Sequence, residues 1–380
     1  MKIIFICGSL ELGADGVGDY TRRLATELIK QGHEVAALAL YDQFITNQLS
    51  HVEIVENIKL QIYRIPSKWI TSRRFNLAKE WLNKFNPEWI SLQYVPFSFN
   101  IKGLPFGLSN HLSQFKHKKW HIMFHELWVG MEENATVKLI TWGIIQKFLI
   151  KKLLINLKPS VIHTQTKLYQ IQLVKLGVKA GYLPLFSNIP INNNRKIRQI
   201  SDNKHKITFV NFGTIHPGAP IESFTQEAAK FIQKEGIQIN LVLIGRCGVE
   251  QKRWVKVWKS AGLDISIFGE QPIDRISEVF NTSTYGITTT ALPLVEKSGS
   301  VAAMHEHNLP VICVSKPWHP KGIRDIELPL GVVEYKDGNF TTCITKNFNI
   351  PYVEVSKVAH QIVKDLISYK VFSKKNKMLN

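Results

Sequence analysis

ITFVNFGTIHPGAPIESFTQEAAKFIQKEGIQINLVLI, residues 207–244, decides the fold. Its opening apolar run predicts a strand over 207–212. Residues 221–235 predict a helix, and a second apolar run predicts a strand over 238–244. Strands apolar on both faces and joined through a helix belong to a parallel sheet covered on both sides.

The alternation continues in both directions. C-terminally, helices over 250–261, 274–280 and 300–307 separate strands over 264–268, 285–289 and 310–314. Residues 353–369 predict a helix with Val355, Val358, Ala359, Ile362, Val363 and Leu366 on one face. On the N-terminal side, residues 187–206 (SNIPINNNRKIRQISDNKHK) are polar, Asn-rich and charged, as a linker is. Before them come strands over 2–7, 33–40, 58–65, 89–93, 120–124 and 160–164, with helices over 17–31, 73–85, 136–157 and 167–176. The expectation is an α/β protein of two tandem, doubly wound, Rossmann-like domains facing a cleft. The N-terminal domain takes 1–186, the linker 187–206 and the C-terminal domain 207–352. The helix of 353–380 is a candidate to pack back on the N-terminal domain.

The length of 380 residues suits two cores. The 48 Lys and Arg against 30 Asp and Glu leave a charge of +18. Such a surface meets anions: nucleic acid, acidic membrane or phosphorylated ligands. The sequence carries no helix-turn-helix, RNA-binding or finger motif, so no nucleic-acid partner is expected. Cys7, Cys247, Cys313 and Cys343 are far apart and form no CxxC pair, which predicts buried free thiols in a reducing compartment. The apolar run before Gly8 is too short for a signal peptide, and no run reaches about 18 apolar residues. A cytoplasmic location is expected.

In doubly wound sheets, ligands bind at the carboxyl ends of the strands, so the loops there are the candidates. The first, GSLELGADGVGDY (8–20), brings Gly16 and Gly18 to a helix start, where backbone can approach a phosphate. Gly16-Val17-Gly18 with Asp42 after the next strand also fits half a dinucleotide fingerprint. The stretch from Gly8 to Gly16 is too long for that turn, and a dehydrogenase is the lesser reading. The second loop holds His125 and Glu126, where an imidazole can bond a sugar hydroxyl or be a plain core residue. The third, FGTIHPGAP, carries Gly213, Thr214 and His216. In the fourth, IGRCG, Arg246 suits a diphosphate or a surface salt bridge. The fifth, ALPLVEKSGSVAAMHEHNLPVICVS, places Glu296 and Lys297 before Ser298, Gly299 and Ser300 at a helix start. That set suits a dianion.

Taken in order, these pieces resemble the GT-B glycosyltransferases, especially the retaining family-four group. The likeness rests on GVGDYTRRLATELIKQGHEV, FHE, FGT, IGR and the segment from Glu296 to Val311. The resemblance implies transfer of a hexosyl group from a nucleoside diphosphate sugar to an acceptor hydroxyl, with retention, in glycan, glycolipid or glycosylated metabolite synthesis. It implies no metal and no further cofactor. Carried onto this chain, it gives His125, Glu296 and Lys297 as catalytic residues. Gly16, Gly18, Gly213, Thr214, Arg246, Gly269, Ser298, Gly299 and Ser300 bind the donor. Asp19, Tyr20 and Glu126 contact a saccharide, lipid-linked or small-molecule acceptor. The base lies against 268–271.

Two departures stand out. The group's signature is two glutamates with seven residues between; Glu296 matches the first with a one-residue shift, and the second falls at Ala303. Its Arg and Lys in the first loop of the second domain are absent from GTIHPG. These leave open a GT-B-fold epimerase or phosphorylase, and a degenerate transferase serving as a binding subunit. Finally, the apolar stretch 137–159 carries five lysines. It reads equally as a core helix and as a peripheral contact with an anionic membrane.

Overall fold

The computed structural model describes residues 1–191 and 206–378, with side chains to residue 369. Most of the linker predicted over 187–206 lies outside the described residues. The chain divides into two compact units, one of Met1–Pro184 with Glu354–Asn380, the other Leu185–Val353.

The first unit carries an eight-stranded sheet: β1 (Lys2–Cys7), β2 (Glu34–Asp42), β3 (Leu49–Val55), β4 (Ile58–Pro66), β5 (Trp89–Tyr94), β6 (Lys119–Phe124), β7 (Val161–Thr164) and β8 (Gly181–Tyr182). Their spatial order is β3-β4-β2-β1-β5-β6-β7-β8. Its helices are α1 (Gly16–Lys30), α2 (Thr71–Phe85), α3 (Pro96–Phe99), α4 (Leu108–Leu112), α5 (Val137–Leu157) and α6 (Lys167–Val174). All pairings are parallel except β3 with β4, a hairpin whose two-residue turn puts Glu56 and Asn57 at φ 49° and 64°. Positive φ at both turn residues matches the strand twist. That edge strand, LSHVEIV, is one the sequence reading missed.

In the second unit, β9 (Lys206–Phe212), β10 (Gln238–Ile244), β11 (Asp264–Gly269), β12 (Tyr285–Thr288), β13 (Val311–Cys313) and β14 (Val332–Glu334) form an all-parallel sheet in the order β11-β10-β9-β12-β13-β14. The helices are α7 (Ile221–Glu235), α8 (Gln251–Ser260), α9 (Ile273–Thr282), α10 (Gly299–Glu306) and α11 (Phe340–Thr345). Both sheet faces are buried. Phe209, Phe224, Trp254 and Trp258 fill one side, and Val210, Ile244, Phe280 and Met304 the other. α12 (Val355–Met378) then belongs to the first unit, where Gln31 donates to the Ser356 carbonyl and His163 bonds Asp365. All four cysteines are buried and free.

Candidate active site

The carboxyl edge of the second sheet is made of backbone. β9 runs into Gly213, whose N–H donates to the Ile244 carbonyl at 2.9 Å. β10 runs into Gly245, whose N–H donates to the Gly269 carbonyl at 2.7 Å, and β11 ends on Gly269. The three φ angles are 79°, 82° and 62°, a region where glycine alone sits without strain. A Cβ at Gly245 would also be crowded, lying 3.2 Å from the Gly213 nitrogen.

The start of α10 stands beside this row. A Cβ on Gly213 would meet Ser300 Oγ at 3.4 Å. Ser298 caps the helix, its hydroxyl accepting from Val301 N–H at 3.4 Å. The first-turn N–H groups of Gly299 and Ser300 have no carbonyl partner within the helix, and nothing stands within 4 Å of a Cβ on Gly299. Glu296 and Lys297 sit on the short 3-10 turn Leu292–Lys297 just before. The turn 213–218 is tied to the end of β12: Thr289 Oγ1 accepts from His216 N–H at 2.8 Å and donates to the Thr214 carbonyl at 3.4 Å. Burial, then the charge of Lys297, lowers the His216 pKa. A second cation, Lys316, reaches the same turn; its side chain lies 3.2 Å from where a Cβ on Gly218 would stand.

Gly213, Thr214, Lys297, Ser298, Gly299 and Ser300 are thus brought together. Gly245 and Lys316 join them. Sequence reading passed over both, although each follows a strand as the chosen residues do. Arg246 points to the surface, ion-paired with Glu270 at 3.0 Å, its side chain 55% exposed. Ala303, at the place of the second glutamate, is fully buried in the core.

The first unit's loops are filled from within. Leu10 and Phe44 N–H groups donate to Asp42 at 3.1 and 3.0 Å, and Arg64 Nε donates to it at 2.7 Å. Burial works to raise the Asp42 pKa, but Arg64 and these N–H groups outweigh it and hold the carboxyl below its usual range. Asp42 therefore supports loop 8–15 and has no capacity left for a ribose, which removes the dehydrogenase reading. Gly16 is exposed with open space around it. Asp19 accepts from Gly13 N–H at 3.1 Å, and Glu126 is half-buried beside His125.

Three of the expected contacts fall on buried residues. Gly18 is buried, and a Cβ there would lie 2.8 Å from the Ser9 carbonyl, so glycine serves helix packing there and not a phosphate. Tyr20 is 1% exposed, its ring edge-on to His125 at 4.8 Å. His125 is 3% exposed. Its Nε2 meets Gln93 Oε1 at 2.9 Å and its Nδ1 meets Gln165 Oε1 at 3.1 Å. Burial, opposed by the Gln165 bond, pushes its pKa down to about 4. His125 is thus a buried, neutral imidazole with each nitrogen at hydrogen-bond distance from a glutamine amide, one of which must present its N–H.

No protein-family model and no curated protein sequence matches this chain. Solved structures do. HepE of Anabaena, crystallised with UDP and glucose, is 12% identical; the match covers 97% of this chain and all of that one, at TM-score 0.58. A glycosyltransferase from Rickettsia africae is 10% identical over 99% of this chain and 97% of its own, at 0.56. A Listeria monocytogenes protein named as a UDP-N-acetylglucosamine 2-epimerase is 11% identical over 82% and 78%, at 0.51. With two parallel-dominant sheets in two units and these neighbours, the chain has the GT-B fold.

Proposed function

We propose that this chain is a glycosyltransferase that draws a hexosyl group from a nucleoside diphosphate sugar. The observation that carries the reading is the convergence, inside the second unit, of bare backbone at Gly213 and Gly245, the start of α10, and the cations Lys297 and Lys316. A diphosphate fits that chemistry: N–H groups and the helix dipole meet its oxygens, and ammonium groups offset its charge. In the reaction, the bond between the anomeric carbon and the diphosphate oxygen breaks, and the acceptor oxygen bonds that carbon and gives up its proton. Negative charge accumulates on the leaving diphosphate, where preorganised donors lower the barrier. Glu296, on the turn before the cap, is the candidate to accept sugar hydroxyl bonds. The exposed Phe268, at the end of β11, supports a place for the base. Retention and independence from metal belong to the proposal, as does synthesis of a glycan, glycolipid or glycosylated metabolite.

Thermal unfolding against a panel of nucleoside diphosphates, UDP first, tests the donor site, because a ligand of the native state raises the melting point. Lys297→Ala should abolish the UDP shift. No shift with any diphosphate would overturn the reading. The likeness to the Listeria protein favours one alternative, an epimerase. Conversion of UDP-N-acetylglucosamine without acceptor would establish it, and binding without any turnover would mark a binding subunit.

A surface feature bears on the acceptor. α5 buries Gly143, Gln146, Leu149, Ile150, Leu153 and Leu157. Its other side exposes Val137, Ile144, Phe148 and Ile155 at one-turn and two-turn spacing, with Lys138, Lys151 and Lys158 exposed among them. Among the described residues no helix is long and apolar enough to cross a membrane. An apolar stripe edged with lysines suits lying on an anionic bilayer, which supports a lipid-linked acceptor and a cytoplasmic enzyme peripheral to the membrane. Flotation with vesicles, with and without acidic lipid, should separate bound from free protein; equal behaviour removes the membrane contact.

A further inference from the structure

One face of the first sheet carries polar side chains on three neighbouring strands: Ser91 and Gln93 on β5, His121 on β6 with His125 just past its end and Met123 between them, and His163 on β7 with Gln165 just past its end. Ser91 pairs with His121 and Met123 with His163 in the parallel register, which keeps them on one face. These residues are all 3% exposed or less. They form one continuous chain. From α12, Asp365 Oδ2 meets His163 Nε2 at 3.0 Å; His163 Nδ1 meets His121 Nε2 at 3.0 Å; His121 Nδ1 meets Ser91 Oγ at 2.8 Å. Gln93 Nε2 donates to Ser91 Oγ at 2.7 Å, and its Oε1 meets His125 Nε2 at 2.9 Å.

Such a chain has two complete hydrogen-bonding patterns that differ in direction. In one, every ring carries its proton on Nε2: His163 donates to Asp365, His121 to His163, Ser91 to His121, Gln93 to Ser91 and His125 to Gln93, while Gln165 turns its amide N–H to Nδ1. In the other, every bond is reversed and every ring carries its proton on Nδ1. Neutral groups permit either. A carboxylate only accepts. The Asp365 pKa is lowered, first by the His163 bond, against partial burial and with help from Gln361, so the group is ionised at neutral pH. Burial, then His163 and His125, hold His121 far below its ordinary pKa, so that ring is neutral.

We propose that Asp365 is a positioning residue: from the C-terminal helix its carboxylate selects one direction for the whole chain and so holds His125, four side chains away, as the Nε2–H tautomer. The bearing of that tautomer on turnover rests on the transferase reading. The selection itself does not, so either can fail alone.

The test is nitrogen-15 NMR of the full chain labelled at histidine, at neutral pH. Wild type should show His121 and His125 neutral, and each of the three rings, His121, His125 and His163, carrying a proton on Nε2. A proton on Nδ1 of His125 would overturn the proposal without any variant. Asp365→Asn keeps the shape but accepts or donates, so the Nδ1–H form of His125 should rise by about 10-fold or more, the ratio a charge-assisted hydrogen bond sustains. Tautomers unchanged in a folded Asp365→Asn protein would also overturn it. A residue that merely packed α12 would shift the melting point and leave the tautomers alone.

Discussion

The two sheets end differently. Where the second sheet stops, three strands run out into glycine and a helix begins, leaving main-chain donors with the half-exposed Lys297 and the exposed Lys316 nearby. Where the first stops, side chains close the edge: His125 is engaged on both nitrogens, Tyr20 packs against its ring, and Asp42 is spent on Arg64 and two N–H groups. An edge made of backbone keeps its polar groups for a ligand, whereas an edge made of satisfied side chains has already used them. Glycine marks both, but for opposite reasons. Gly213 and Gly245 are needed for their φ, while Gly8 and Gly18 are needed because carbonyls of Ser98 and Ser9 press where a Cβ would be.

The largest effect that would sharpen this contrast is on catalysis. Lys297→Ala should lower donor turnover by about 10²–10³-fold, as loss of one preorganised donor does; single-turnover kinetics would read it. Next comes acid. His125 is neutral in the fold near pH 4 and above but takes a proton in the unfolded chain below about 6.5. The unfolded state then binds more protons, so stability present above about pH 6.5 is lost as pH falls toward 4. For His125 the loss reaches about 3 kcal/mol. Urea unfolding across that window should show it, and His125→Gln should flatten the slope. Smaller again is the paired glycine test. Gly18→Ala should cost about 1–3 kcal/mol through overpacking and leave nucleoside diphosphate affinity alone. Gly213→Ala should cost about 1–2 kcal/mol of backbone strain and weaken that affinity as well. Equal effects on affinity would break the distinction between the two edges. The smallest change is Arg246→Ala, whose surface pair with Glu270 is worth under about 1 kcal/mol; chemical denaturation should barely register it.

Much of this was open to reading from residue order. Apolar runs separated by amphipathic ones gave the two doubly wound sheets, and Gly213, Gly269 and the Ser298 cap fell at strand and helix ends where a ligand site was sought. What was not readable depends on distant partners. β3 is a short edge strand whose Leu49, Val52 and Ile54 are exposed, and it has no apolar run like those of the central strands. Lys316 belongs with Gly218 only because their strand-end loops fold together. His125 looked like a site residue because nothing local reveals that Gln93 and Gln165, from the two flanking strands, take both its nitrogens. Ser91, His121 and His163 break otherwise apolar strands, and that interruption was the one local sign of the buried chain.

The last helix has a bearing on how the protein is made. Because α12 belongs to the first unit while the whole of the second lies between it and β8, a ribosome finishes the second unit before the first can close. Until then, His163 waits without its carboxylate and the helical cover of α12 is missing. A released chain ending at residue 353 should hold a folded second unit together with a protease-sensitive first one, the reverse of the usual N-terminal-first order.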